Sequence, residues 1–162
     1  MRTATLRTGI WIALAGIAFT GSLKAERRCF EDAGAASTER SEHLSWARRT
    51  ESNEIRRNVL EKIERVSNCL ARERRRDEWI DLFTRVSLQV ARAVPDAGCF
   101  DGNQGVVSTD PETHRQFARD NNRETVVEDL KRKVSAALRC LNKRGQDELF
   151  AEISVLLARA AR

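Results

Sequence analysis

Residues 37–48 read STERSEHLSWAR and residues 108–119 read STDPETHRQFAR. Laid side by side without a gap, both stretches open on Ser-Thr and an acidic residue, and both close on an aromatic ring followed by Ala-Arg. Between these ends stand His43 and His114, the 2 histidines of the chain, which fall opposite each other. At the same offset of 71, Cys69-Leu70 answers Cys140-Leu141, and Asp77, Trp79 and Leu82 answer Glu148, Phe150 and Ile153. Upstream, Cys29-Phe30-Glu31 answers Cys99-Phe100-Asp101 at an offset of 70, with one extra residue between Phe100 and Ser108. Pairing of the rare residue types at a fixed period is the mark of one structural unit written twice. Phe83 alone among the later aromatics has no aromatic counterpart.

Each unit reads as three helices. Thr109-Asp110-Pro111-Glu112 is a helix start, with an oxygen-bearing cap, a proline where a missing N–H costs nothing and a glutamate placed to reach back. Ser37-Thr38-Glu39 is its counterpart. The short helix that follows carries His43, Trp46 and Ala47, or His114, Phe117 and Ala118, on its inward face. Polar clusters at Thr50 to Asn53 and at Asp120 to Asn122 interrupt the pattern. Ile55, Val59, Ile63, Val66 and Leu70 then recur at helical spacing, as do Val126, Leu130, Val134, Ala137 and Leu141. Cys69 and Cys140 border these stripes, which places both beside the core. A third helix carries Trp79, Leu82, Phe83, Val86, Val90 and Ala93, or Phe150, Ile153, Leu156, Leu157 and Ala160. Val94-Pro95-Asp96-Ala97-Gly98 closes the first unit. With no apolar-polar alternation to suggest strands, the fold class is all-α, a small disulfide-stapled bundle of about six helices built from two tandem three-helix repeats.

The N-terminus reads as an export leader. Arg2 and Arg7 precede the apolar run from Gly9 to Phe19, and Thr20, Ser22 and Lys24 close that run before it reaches the roughly 20 residues a membrane span needs. We place the cut after Ala25, giving residues 1–25 as signal peptide, 26–98 as first repeat and 99–162 as second, the two packed as one domain. No lipid-anchor cysteine follows the cut and the n-region has no twin-arginine pair, so the exported chain is expected to lack a stable membrane anchor and to be secreted or periplasmic. The leader holds three of the 29 Lys and Arg (Arg2, Arg7, Lys24) and none of the 24 Asp and Glu, so the net charge falls from +5 to +2 once it is gone. The remaining charges alternate in sign, which disfavours nucleic acid as a partner.

All 4 cysteines, Cys29, Cys69, Cys99 and Cys140, lie beyond the leader, and none forms a Cys-x-x-Cys. Two disulfides are expected in an oxidising compartment. Of three possible pairings, duplication of a stapled unit favours Cys29 with Cys69 and Cys99 with Cys140; a crossed pairing of Cys29 with Cys140 and Cys69 with Cys99 is the alternative. A unit of some 65 residues buries too little apolar surface to stand alone, so stapling and packing of the two copies are both required.

Chemistry is sparse. Glu39 precedes His43 by four residues and Asp110 precedes His114 likewise, so the four side chains would make a divalent-metal site or a proton-transfer pair if a pseudo-twofold axis joined them. The alternative, which the sequence favours, is that the carboxylates serve helix N-termini while each imidazole packs beside Trp46 or Phe117. Arg72, Arg74, Arg75 and Arg76 form the densest basic run. They make either a surface for an acidic partner or cations favouring a helix C-terminus, with Glu73, Asp77 and Glu78 diluting the field. No Gly-x-Ser-x-Gly elbow or phosphate loop is present, Asp101-Gly102 and the Gly105 region included, and no residue pattern calls for a cofactor. The expected function is an exported protein-binding module, a secreted effector or an inhibitor or immunity-type protein, acting through its surface on another protein. A carrier of a small hydrophobic ligand is second, and a metal-dependent or hydrolytic enzyme third.

Overall fold

The structure, a computed structural model, describes residues 29–30, 35–95, 97–100 and 107–162. The leader with its cut after Ala25, together with Glu31, Asp96, Asp101 and residues 102–105, lies outside the described residues. Six helices follow in chain order: α1 (Arg40–Arg48), α2 (Ser52–Arg72), α3 (Arg76–Ala93), α4 (Pro111–Asp120), α5 (Arg123–Cys140) and α6 (Lys143–Ala160), with one 3-10 turn at Ala97–Cys99. There is no strand among the described residues. The bundle is all-α and carries two disulfides, Cys29–Cys69 and Cys99–Cys140, spanning 40 and 41 residues.

The helices interleave. α1 packs chiefly on α6 and α4 on α3, while α2 lies against α5 and α6, and α3 against α5 and α6. Each short first helix therefore uses the third helix of the other half as its partner. The stripes of α2 and α5 make the centre, where Ile55, Val59, Ile63, Val66, Leu70, Leu130, Val134 and Ala137 are all fully enclosed. Burying one such side chain contributes about 1.5–3 kcal/mol, so these two helices supply much of the drive to fold.

Cations from the opposite half close the C-terminal ends of the short helices. Lys143 Nζ donates to Ala47 O at 2.7 Å, and Arg76 Nη2 donates to Arg119 O at 3.0 Å. A positive charge there adds a bond to an end carbonyl, beside the one Ala47 O already accepts from Thr50 N at 3.0 Å, and matches the helix dipole. Arg40 adds ion pairs from α1 to Glu148 and Glu152 on α6. Thr50 Oγ1 and Asn121 Nδ2 turn back to the carbonyls of Trp46 and Phe117, each at 2.8 Å. Thr50 and Asn121, aligned at the fixed offset, thus make like contacts, whereas Lys143 and Arg76 align with Arg72 and Asp147 and reach the helix ends from unaligned positions.

Four expectations need correction. Cys140 is exposed, whereas Cys69 is buried. Leu141 lies just outside α5, so the last residue of that stripe is half-buried. Ser52 and Asn53 already belong to α2, which shortens the first break. Glu112 does not reach back to its cap; it pairs with Arg115 and Arg119 on its own helix.

The halves differ at their second corner. In the second half Asn142 caps α6, its Oδ1 accepting from Gly145 N at 2.9 Å, so α5 stops at Cys140 and α6 begins at Lys143. The aligned residue in the first half is Ala71, which has no oxygen to cap with. There α2 runs on to Arg72 and ends differently: Arg75 N donates to Leu70 O at 2.9 Å and Arg74 N to Ala71 O at 3.1 Å. This is a Schellman ending, in which the residue after the cap takes the left-handed conformation and is usually glycine. Here it is Arg74, with φ of 58°.

Two outcomes are expected from urea unfolding of the oxidised protein. Arg74→Gly raises stability by about 0.5–1 kcal/mol by relieving the left-handed side chain, and a lower midpoint would exclude that strain. Replacing Cys29 and Cys69 together with Ser lowers stability by about 2–4 kcal/mol. A loss well below that range would mean the staple constrains little of the unfolded chain.

Candidate functional site

The two Ser-Thr-acidic stretches fold alike. Ser37 Oγ accepts from Glu39 N at 3.1 Å, and Ser108 Oγ from Asp110 N at 3.0 Å. Six residues on, His43 Nε2 lies 2.8 Å from Ser37 O and His114 Nε2 lies 2.7 Å from Ser108 O. A carbonyl only accepts, so each imidazole carries its proton on Nε2 and donates it. Each histidine thereby ties the incoming chain to its own helix.

The rings then meet the opposite half. His43 stands edge-on to Phe150 with centroids 6.3 Å apart, while Trp46 stacks on the same ring at 5.0 Å. His114 stands edge-on to Phe83 at 6.2 Å, and Phe117 stacks on it at 5.8 Å. A buried lysine completes each cluster. Lys62 Nζ lies 4.8 Å from the centre of Phe150 and donates to Ser154 Oγ at 3.2 Å. Lys133 Nζ lies 5.2 Å from the centre of Phe83 and pairs with buried Asp129 at 2.6 Å. A desolvated ammonium over a ring face gains cation–π attraction of about 2 kcal/mol, offsetting part of the cost of removing it from water.

Neither lysine figured among the sequence candidates, although a signal was present. Lys62 and Lys133 occupy the same register in both halves and fall within the stripe positions of α2 and α5 rather than on the outer face.

The four residues considered for a metal do not come together. Each histidine is bound to its own serine carbonyl and enclosed by aromatic carbon. Asp110 caps α4, accepting from Glu112 N and from Thr113 N and Oγ1; the hydrogen bond from the Thr113 hydroxyl first, then those from the two backbone N–H groups, hold its carboxyl below the usual range. Glu39 starts α1 without a side-chain cap. Among the described residues no three His, Cys, Asp or Glu side chains gather as a metal site. The imidazoles pack on Phe150 and Phe83 across the bundle, where the sequence pointed to Trp46 and Phe117; the latter share the same partner rings.

The arginine run borders a hollow. Under the α2–α3 corner lies an open cleft of about 290 Å³ with an apolar floor of Leu70, Trp79, Ile80, Ala118 and Val126. Arg74, Arg75, Arg76 and Arg123 stand around it. A second hollow, beside Cys29, is lined by Arg65, Asn68, Arg72 and Arg123, and shares Ala71 and Arg123 with the first. Among the described residues, only Arg75 of these cations pairs with carboxylates. Arg75 pairs with Glu78 and Glu73, which raises its already high pKa and, at Glu78, lowers the carboxyl's. Arg76 is spent on the Arg119 carbonyl, and Arg123 donates to Asn68 Oδ1 at 2.6 Å. Arg65, Arg72, Arg74, Arg76 and Arg123 have no carboxylate partner among the described residues.

Arg65 and Arg123 were not singled out from sequence. They lie far from the run along the chain, and only the packing of α2 on α5 brings them beside it. Comparison with protein-family models, with curated proteins and with solved structures found no match.

The histidine clusters make a pH dependence with a definite sign. Burial, first, holds both imidazoles below their ordinary pKa; the serine carbonyls oppose it, Lys62 and Lys133 reinforce it, and Glu42, Asp129 and Asp110 weakly counter it. In the unfolded chain the rings titrate at about 6.5. As pH falls below that value the unfolded state takes up protons first, so stability is full above about pH 6.5 and declines through the folded pKa values. Melting temperature should therefore fall between about pH 7 and pH 5.5, and the decline should flatten in the double variant His43→Gln, His114→Gln. An unchanged slope in that variant would assign the decline to other groups.

Proposed function

We propose that this is an exported, disulfide-stapled module that acts by binding another protein through its surface. The observation that supports this reading is the clustering of five arginines around the α2–α3 corner, each without a carboxylate partner among the described residues. Elsewhere among the described residues the conspicuous polar groups hold the fold: the histidines bind serine carbonyls, Asp110 caps a helix, and Lys133 pairs with Asp129. A rigid scaffold presenting unmatched charge is suited to recognition, since charge complementarity speeds encounter and rejects wrong partners.

Export is part of the same proposal. Two disulfides fit an oxidising compartment, and no described helix is long and apolar enough to cross a membrane. Residues 1–25 would then be removed as a leader, and the like contacts of the two halves support a duplicated unit as the scaffold.

The test is capture of partners from the extracytoplasmic fraction of the producing organism with the exported protein and with its Arg74→Glu, Arg123→Glu variant. A partner held by the former, released by added salt and lost to the latter, is the expected outcome. Capture of nothing by the unaltered protein, or equal capture by both, would end this reading. Titration of the exported protein should find no free thiol, with its N-terminus at Glu26; four free thiols or a retained leader would remove the export argument.

A further inference from the structure

We infer that the cleft under the α2–α3 corner receives one large apolar side chain from a partner segment rich in Asp and Glu, whose carboxylates lie along the surrounding arginines. This rests on the protein-binding reading above and adds the chemistry of the occupant.

The size of the cleft limits what enters. At about 290 Å³ it falls at the small end of ligand pockets, which run from about 300 to 1,000 Å³, so it suits a single bulky side chain. Leu70 and Val126 underlie it enclosed, and the exposed edge of Ile80 gives an occupant apolar contact. Trp79 lines it too, with an enclosed indole N–H that has no partner among the described residues.

The charge fixes the rest of the ligand. One carboxylate would answer one or two guanidinium groups, whereas Arg65, Arg72, Arg74, Arg76 and Arg123 are spread over two adjoining hollows. Several carboxylates on one strand match that spread. A nucleic acid would bring the negative charge but calls for exposed rings on which bases stack, and the aromatic ring here, Trp79, is only 6% exposed.

The cleft also exists at a cost to the fold. In the second half the aligned corner is built differently: Asn142 caps α6, Gln146 Nε2 donates to the carbonyls of Leu138 and Leu141 at 2.7 and 3.0 Å, and the hollow beside Leu141 and Gly145 is lined by Arg40 paired with Glu148 and Glu152. Phe150 there stacks under Trp46, whereas its counterpart Trp79 is left out of the matching cluster, where Phe83 takes the role one turn later. Trp79 is thereby free to wall the cleft. Above it, Arg74 holds a left-handed conformation that the aligned residue, Gly145, would adopt without strain.

A random peptide library displayed against the exported protein tests this. Enriched peptides should carry one Phe, Trp or Leu flanked by Asp and Glu. A synthetic copy of the best one should bind about tenfold more weakly to the Arg74→Glu, Arg123→Glu variant, to an Ala71→Trp variant that plugs the cleft from an exposed position, and when its apolar anchor becomes Ser. Both protein variants must keep the melting temperature of the parent to within a few degrees, and if one does not, the other serves. Enriched peptides that bind all forms equally would overturn the inference while leaving a protein-binding module in place. Failure of any peptide to enrich over the Ala71→Trp variant, or displacement by heparin or phosphatidylglycerol vesicles that ignores the anchor, would also overturn it.

Discussion

The stacking of each short helix on the third helix of the opposite half is the contact the remaining structure depends on. Trp46 on Phe150 and Phe117 on Phe83 cover the enclosed rings of the third helices with the half-buried rings that α1 and α4 offer. A helix of 9 or 10 residues is marginal in water because nucleation is costly and few hydrogen bonds repay it. Neither α1 nor α4 has enough apolar surface to hold itself, and each gains a partner only when the halves interleave. Lys143 and Arg76, reaching from the opposite half to the carbonyls of Ala47 and Arg119, add directed bonds to that contact.

Given the interleaving, the other features have definite tasks. The histidines fix how the chain enters α1 and α4, since each imidazole N–H anchors a serine carbonyl six residues back. The disulfides bind the segments before those helices to the ends of α2 and α5. Lys62 and Lys133 fill the space between helices with an aliphatic stem and a charge held over a ring. Such buried charge stabilises weakly at best, because desolvation offsets most of the attraction, but it disfavours arrangements in which the ammonium finds no ring or oxygen.

The halves depart from likeness at the α2–α3 corner, where arginines stand around a hollow with an apolar floor. A single residue type starts it: Asn142 can cap a helix and Ala71 cannot. From that follow the longer α2, the left-handed Arg74, the later start of α3 and the hollow beneath.

Sequence by itself determined the helical class, the stripes of α2 and α5, the cap at Asp110 and the partner residues of each register, because these follow from local periodicity and short-range hydrogen bonding. It also favoured the pairing of Cys29 with Cys69 and Cys99 with Cys140 through the fixed offset. It placed His43 and His114 on inward faces but not against Phe150 and Phe83, and the joint site of Glu39, His43, Asp110 and His114, the less favoured of its two readings, is not assembled among the described residues. Tertiary structure alone decided which half each short helix packs on, that Cys140 is exposed while Cys69 is buried, and that Arg65 and Arg123 join the run at Arg72 to Arg76. Those outcomes depend on how whole helices cross, a property set by the sum of many side-chain contacts distant in the chain, and no local pattern of residues carries it.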